Sequence, residues 1–271
     1  MGSYLSTYVL YPPEKSKKMH EERQLHIENI EIENYLIPAY WFVPKDSKIL
    51  EDIDQEYIEK KERYTILYSH DEWTDIEKCY DWCKYLAQNL NVNVLCYEYM
   101  GYGWTNDINH KIVENDKRMS YPSEYGCNIS ILSAFNFLVK TLNVSPMNII
   151  VMGISMGTGP SCVLSSKMLV KGLILQSPFM TMLSRLTNEI ASPNIDMFKN
   201  ITEIEKIYCA TFIIHGMKDE TTSYIHSNEL AQLSPNCTMT WFVKNGTHNN
   251  IEKLCKKKYI SMLSQFIHFN T

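Results

Sequence analysis

Several things are missing from this sequence of 271 residues, and each absence removes a class of function. No apolar run reaches the ~18 residues of a membrane-spanning helix, so none is expected. The formal net charge is −5, which leaves no basic footprint for a nucleic acid. The eight cysteines (79, 83, 96, 127, 162, 209, 237 and 255) contain no C-x-x-C and no Cys/His cluster at zinc spacing. No metal site is therefore expected, and Cys79 and Cys83, one helical turn apart, read as packing. Cysteines scattered in this way fit a reduced, cytoplasmic protein. The N-terminus lacks a basic stretch followed by an apolar one, so no signal peptide is expected. No repeat, low-complexity tract or domain linker interrupts the chain. No lysine follows the glycines at 153–159, which argues against a phosphate-binding loop. Five N-x-[ST] sequons begin at Asn128, Asn143, Asn200, Asn236 and Asn245, and they read as unused.

What is present suits one α/β domain over 25–271, preceded by an N-terminal segment, 1–24. That segment opens Met1-Gly2-Ser3-Tyr4-Leu5-Ser6, which fits the N-myristoylation pattern and makes Gly2 a lipidation candidate. One acyl chain holds a membrane only marginally. Lys15, Lys17 and Lys18 could add to it, while palmitoylation has no cysteine to use before Cys79. The expectation is peripheral association with the cytoplasmic face of a membrane; alternatively Tyr4, Leu5 and Tyr8–Leu10 simply pack on the domain.

Alternation of apolar and polar residues predicts a strand over Leu25–Ile32, with a hairpin partner over Ile37–Val43 closed by Pro44. Residues 45–63 are dense in charge and read as an exposed connection, helical at 51–61. Alternating units follow: strands at 64–68, 92–97, 148–152, 170–176, 211–215 and 239–243. Helices are predicted at 76–90, 125–142, 223–233 and 251–269. The polar stretch 104–122 reads as a surface insertion, and 179–206 has room for one or two short helices and no large cap. Strands alternating with helices imply a mostly parallel, twisted sheet flanked by helices, here with an N-terminal antiparallel hairpin.

One stretch organises the rest. Gly153-Ile154-Ser155-Met156-Gly157 follows an apolar strand and precedes small residues that can open a helix. Strand, sharp turn and helix form the setting of a nucleophilic serine lifted on a strained turn, with glycines where bulk would collide. A serine hydroxyl needs a base to take its proton. Asp219 lies just past a late strand, with Glu220 as competitor, and His248 lies between the last strand and the last helix. Acid and then histidine after the serine is the order this arrangement requires. Taken singly, Asp219 reads as a turn residue and His248 as a loop histidine. His215 reads as a structural residue beneath the acid loop. The oxyanion hole should use the N–H of Met156 and one from the loop after strand 64–68, Glu72 first and Trp73 as the alternative.

Gly153–Gly157, Tyr99–Gly103, Gln176–Pro178, Ile214–Asp219 and His248–Glu252 together resemble the α/β-hydrolase fold. More narrowly, they resemble the small, nearly cap-less serine hydrolases of the seventeen-type alpha/beta hydrolase domain-containing family, which remove palmitate from membrane-attached proteins. The resemblance covers about residue 64 onward and implies Ser155, Asp219 and His248 as the triad. Two departures stand out. The family's His-Gly-Asn at the oxyanion loop is replaced by His70-Asp71-Glu72, and the family's N-terminal cysteine cluster is missing. Expected substrates are an acylated protein or a small ester or thioester, with no cofactor. The alternatives are a peptidase, lipase or esterase of the same fold, or a catalytically weak scaffold that binds a lipid or a protein.

Overall fold

A computed structural model describes residues 14–21, 23–44, 63–187 and 196–269. The lipidation candidate Gly2, the charged connection 45–62 and residues 188–195 lie outside the described residues. The chain falls into two compact units, residues 1–149 and 150–271.

The first unit contains β1 (Gln24–Glu28), β2 (Leu36–Phe42), β3 (Thr65–Ser69) and β4 (Asn93–Tyr97) in the order β1-β2-β4-β3. β1 and β2 form the expected antiparallel hairpin, β2 and β4 are antiparallel, and β3 and β4 are parallel. β1 stops at Glu28 and not at Ile32, because Asn29 bends the chain. Its Oδ1 accepts the backbone N–H groups of Glu31 and Ile32, each at 2.9 Å. β3 and β4 are buried throughout, as their continuous apolar runs predict.

Between them runs α1 (Ile76–Leu90). Asp75 caps it by accepting the N–H of Lys78 at 3.0 Å, and Asn91 ends it at φ 54. Its buried face carries Cys79, Cys83, Leu86 and Leu90 at helical spacing, so the two cysteines do pack in the core. The first turn also holds the N-terminal segment. Ser16 donates its N–H and its hydroxyl to Asp75 at 2.8 and 3.0 Å. His20 meets Glu77 through its backbone N–H and through Nδ1, at 3.0 and 2.7 Å. Lys15 pairs with Asp107 and lies 4.4 Å from the Trp104 ring centre, so its charge is already engaged within this unit.

The stretch 104–122 is not the plain surface insertion its polarity suggested. It folds into α2 (Thr105–Ile108), α3 (His110–Asn115) and a 3-10 turn, with Thr105 and Asn109 buried. Asn109 grips Leu36 of β2 from both sides, accepting its N–H at 2.6 Å and donating to its carbonyl at 2.7 Å. A buried amide with both ends paired satisfies the rule that polar groups enter cores only with partners. α4 (Glu124–Asn136) is capped by Ser123 and runs into a π turn, Phe137–Thr141.

The second unit contains β5 (Ile149–Ile154), β6 (Gly172–Gln176), β7 (Ala210–Gly216) and β8 (Cys237–Val243), all parallel and in that order. Its helices are α5 (Thr158–Lys167), α6 (Met182–Thr187), α7 (Asn200–Ile204), α8 (Tyr224–Leu233), α9 (Ile251–Leu254) and α10 (Lys256–Phe269). The helix expected as one piece over 251–269 breaks at Cys255, which leaves helical geometry at φ −125. The excursion after β6 holds α6 and α7. It is latched to α5 by Phe198, whose ring covers Gly159, and by Asn200, which donates to Thr158 Oγ1 at 3.1 Å. In a parallel sheet the loops leaving the carboxyl ends of strands gather on one edge. Ser155 follows β5, Asp219 follows β7 and His248 follows β8.

Candidate active site

Ser155 stands at φ 51, in the left-handed region that non-glycine residues seldom occupy. Such a residue costs on the order of 1–3 kcal/mol and persists only where its surroundings hold it. Here they do. The Thr158 hydroxyl donates to the Ser155 carbonyl at 2.6 Å, and the Ser161 hydroxyl donates to the Gly157 carbonyl at 2.7 Å. A Cβ on Gly153 would stand 2.4 Å from the Gly157 oxygen and 2.6 Å from Ser161 Oγ, so only glycine fits before this turn. Gly157 itself has φ −60, which any residue adopts.

The loops after β7 and β8 are laced together through their backbones. Met217 N–H donates to Val243 O at 2.9 Å, and Lys218 N–H donates to Gly246 O at 2.8 Å. A Cβ on Gly216 would come within 2.4 Å of that same Gly246 oxygen, so the lacing needs a glycine there. Asn250 Oδ1 accepts the N–H of Thr247 at 2.7 Å and shapes the turn that carries His248.

The result is a continuous chain of hydrogen bonds. Asp219 Oδ2 lies 2.7 Å from His248 Nδ1, and His248 Nε2 lies 2.9 Å from Ser155 Oγ. A carboxylate only accepts, so the ring proton sits on Nδ1, and Nε2 is left to accept the serine proton. Burial would raise the Asp219 pKa. Hydrogen bonds from His215 and His248, the charge interaction with His248 and the Thr222 N–H more than offset that and hold it well below the usual carboxylate range. All three residues predicted from the sequence therefore meet. Ser155 is fully covered, with 0% of its surface exposed, and His248 is 6% exposed. A cavity of about 580 Å³ lies in the first unit, between Lys18–Glu21 and Tyr80–Lys84, and no member of the chain of three lines it.

Met156 is buried beside Ser155 in the 3-10 turn Ser155–Gly157. Glu72 is buried in the first unit. Trp73, the alternative donor, gives its N–H to Asp71 Oδ1 at 2.6 Å and is 59% exposed. The same bond turns the Asp71 carboxylate back onto its own loop. That loop is anchored by His70, whose Nδ1–H donates to Asp71 O and whose Nε2–H donates to Glu98, both at 2.8 Å. Burial would lower the His70 pKa, but the Glu98 carboxylate outweighs it and pushes the value up to about 9.

Two features of the site were not foreseen. His215 reaches the same carboxylate oxygen as His248, at 3.1 Å. The Ile-His-Gly-x-x-Asp spacing at a strand end was the signal available for it. Beneath the histidine loop, Tyr259 donates to Gln176 Oε1 at 2.5 Å, and Gln176 donates to Glu252. These residues lie far apart in the sequence, and nothing local announces their meeting.

No family model matches the chain. Alpha/beta hydrolase domain-containing protein 17C of Xenopus tropicalis is 31% identical over 211 residues, which cover 76% of this chain and 62% of that protein. The human protein of the same name is also 31% identical, with 58% of its length covered. The chain thus spans about three fifths of the length of these curated relatives. Among solved structures, an esterase of Pyrococcus furiosus superposes with a TM-score of 0.65 at 13% identity, over 94% of this chain and 98% of that one. Est1E of Butyrivibrio proteoclasticus, solved with ferulic acid, gives 0.64 at 16% identity, over 88% and 97%. The chain has the α/β-hydrolase fold and resembles the alpha/beta hydrolase domain-containing proteins 17.

Proposed function

We propose that this chain is a serine hydrolase that cleaves carboxylic esters or thioesters through an acyl-enzyme. The observation that carries the reading is the hydrogen-bonded chain from Asp219 through His248 to Ser155 Oγ. In this scheme His248 Nε2 takes the Ser155 proton as the oxygen attacks an acyl carbonyl. His248 then returns the proton to the leaving alcohol or thiol. Asp219 keeps the imidazole in the productive tautomer and stabilises its cation. Water, activated by the same nitrogen, releases the acid. The N–H of Met156 is assigned to the developing oxyanion. The scheme uses no metal and no cofactor.

S-acylated protein is the substrate class we assign first, ahead of peptides and lipids. Support comes from the seventeen-type motifs at residues 153–157 and 248–252 and from the similarity to the relatives named above. With Gly2 acylated, the chain would work peripherally on the cytoplasmic face of a membrane, close to such substrates. A scaffold that binds a lipid or a protein is the second reading, and the complete cover over Ser155 favours it. Fluorophosphonate labelling and hydrolysis of a short nitrophenyl ester separate the two. The hydrolase reading expects labelling at Ser155 and at least a hundredfold loss of turnover in Ser155→Ala. A folded wild type that stays unlabelled supports the scaffold and ends the hydrolase reading.

A further inference from the structure

Resting on the hydrolase reading, we infer that His215 is a positioning residue for the acid. Its ring holds the Asp219 carboxylate turned toward His248, so that the acid stands in place whether or not His248 is engaged.

His215 is the penultimate residue of β7, and its side chain is fully buried. Nε2 lies 2.9 Å from the Thr222 carbonyl and 3.1 Å from Asp219 Oδ2. Both neighbours only accept, so Nε2 carries a proton; it is donated to the Thr222 carbonyl with the Asp219 carboxylate directly alongside. Nδ1 lies 2.6 Å from the Ser227 hydroxyl of α8, which donates to it in the neutral ring. One imidazole therefore ties together the end of a strand, the acid loop and a helix.

Asp219 Oδ1 accepts the N–H groups of Thr221 and Thr222 at 2.9 and 2.8 Å, and Oδ2 accepts from His248 and has the Nε2–H edge of His215 against it at 3.1 Å. If His248 swings away as proton or product leaves, the two backbone donors and the His215 edge still hold the carboxylate. A buried carboxylate needs that company. Each donor also withdraws electron density from Asp219, which then orients the imidazolium and does not take its proton. The other titratable groups near His215 are few. On α8, His226 accepts the N–H of Met180 through Nδ1 at 3.1 Å. Burial, then His215, then Arg185 of α6 lower its pKa. On β8, the residue paired with His215 is Phe242, which carries no charge.

The test compares His215→Leu with His215→Gln, whose amide nitrogen can occupy the Nε2 position and donate to Asp219. The readout is kcat and KM for a short nitrophenyl ester from pH 5 to 10. His215→Leu should lose about 10- to 100-fold in kcat, the size of one hydrogen bond to a charged group. KM should hold steady. The acid limb of kcat/KM should move to higher pH, because a less neutralised Asp219 favours the imidazolium. His215→Gln should restore the limb and most of the rate. Two results overturn the inference: a folded Leu variant within twofold of wild type, or equal losses in both variants with the acid limb unmoved. Should His215→Leu not fold, Ser227→Ala loosens the same ring and should move the limb the same way by a smaller step; an unmoved limb there is equally fatal. An unlabelled wild type overturns the hydrolase reading and the inference with it, and so the two failures differ.

Discussion

Replacing Asp219 with asparagine changes a single atom and tests the proton inventory of the whole chain. The direction of the amide follows from the donors. Two backbone N–H groups, from Thr221 and Thr222, converge on Oδ1, so the amide oxygen must take that side. The NH2 then falls at the Oδ2 position, 2.7 Å from His248 Nδ1. Two donors cannot face each other, so His248 shifts its proton to Nε2 and accepts from the amide through Nδ1. In that tautomer Nε2 presents N–H to Ser155 Oγ and has no lone pair for the serine proton. The same NH2 also confronts the Nε2–H of His215, so the buried loop relaxes at a cost. Loss of the productive tautomer lowers kcat by about 10⁴-fold in the trypsin-type case, or about 5 kcal/mol of barrier. We expect that scale here in steady-state hydrolysis of a nitrophenyl ester, with KM little changed and a native circular-dichroism spectrum. A folded Asp219→Asn variant that keeps more than a tenth of wild-type kcat would refute the assignment of Asp219 as the orienting acid and the tautomer argument together.

Two further expectations concern stability. The His70 pKa is raised in the folded state from 6.5 to about 9 by its pairing with Glu98. Its contribution is therefore complete below about pH 6.5 and is lost as pH rises through about 9, at most about 3 kcal/mol. Urea unfolding at pH 6 and pH 10 should show that fall, and Glu98→Gln should flatten it; a Gln variant with an unchanged slope would remove the pair as its source. In the second unit, Gly159→Ala would set a Cβ 2.2 Å from the ring of Phe198, which is fully buried at φ 48. Overpacking of this kind costs about 1–3 kcal/mol. A thermal melt should register it, and a melting temperature equal to wild type would mean the latch is loose.

Local chemistry explains which features could be read in advance. The turn at Ser155 was legible because its requirements are local: glycine at 153, small hydroxyl residues at 158 and 161, and an apolar strand before it. α1 was legible to the residue because Asp75 caps it, its apolar spacing is regular and Asn91 stops it. The order of Asp219 and His248 was read from the chain order in which a serine on such a turn takes its partners, each on a loop after a late strand. Other features depend on partners remote in sequence. Asn109 looked like a surface residue until its amide met both backbone groups of Leu36. His215 was recognised as structural, but its bond to Asp219 becomes visible only once the loop after β7 has turned back over the strand end.

The serine is armed and hidden at once, and the two facts bear on each other. The Ser155 hydroxyl is already bonded to His248, and the acid already has its donors, so no part of the relay waits for substrate to assemble it. Dry surroundings strengthen such bonds and spare the site from reorganising as charge develops. The same dryness keeps an acyl group out, and it keeps out the water that must later release the acid. A hydroxyl with no exposed surface cannot attack, so turnover on this reading requires an opening before each acyl group enters. The donors converging on Asp219, together with the lacing of Met217 and Lys218 to the β8 loop, hold the acid while that opening occurs.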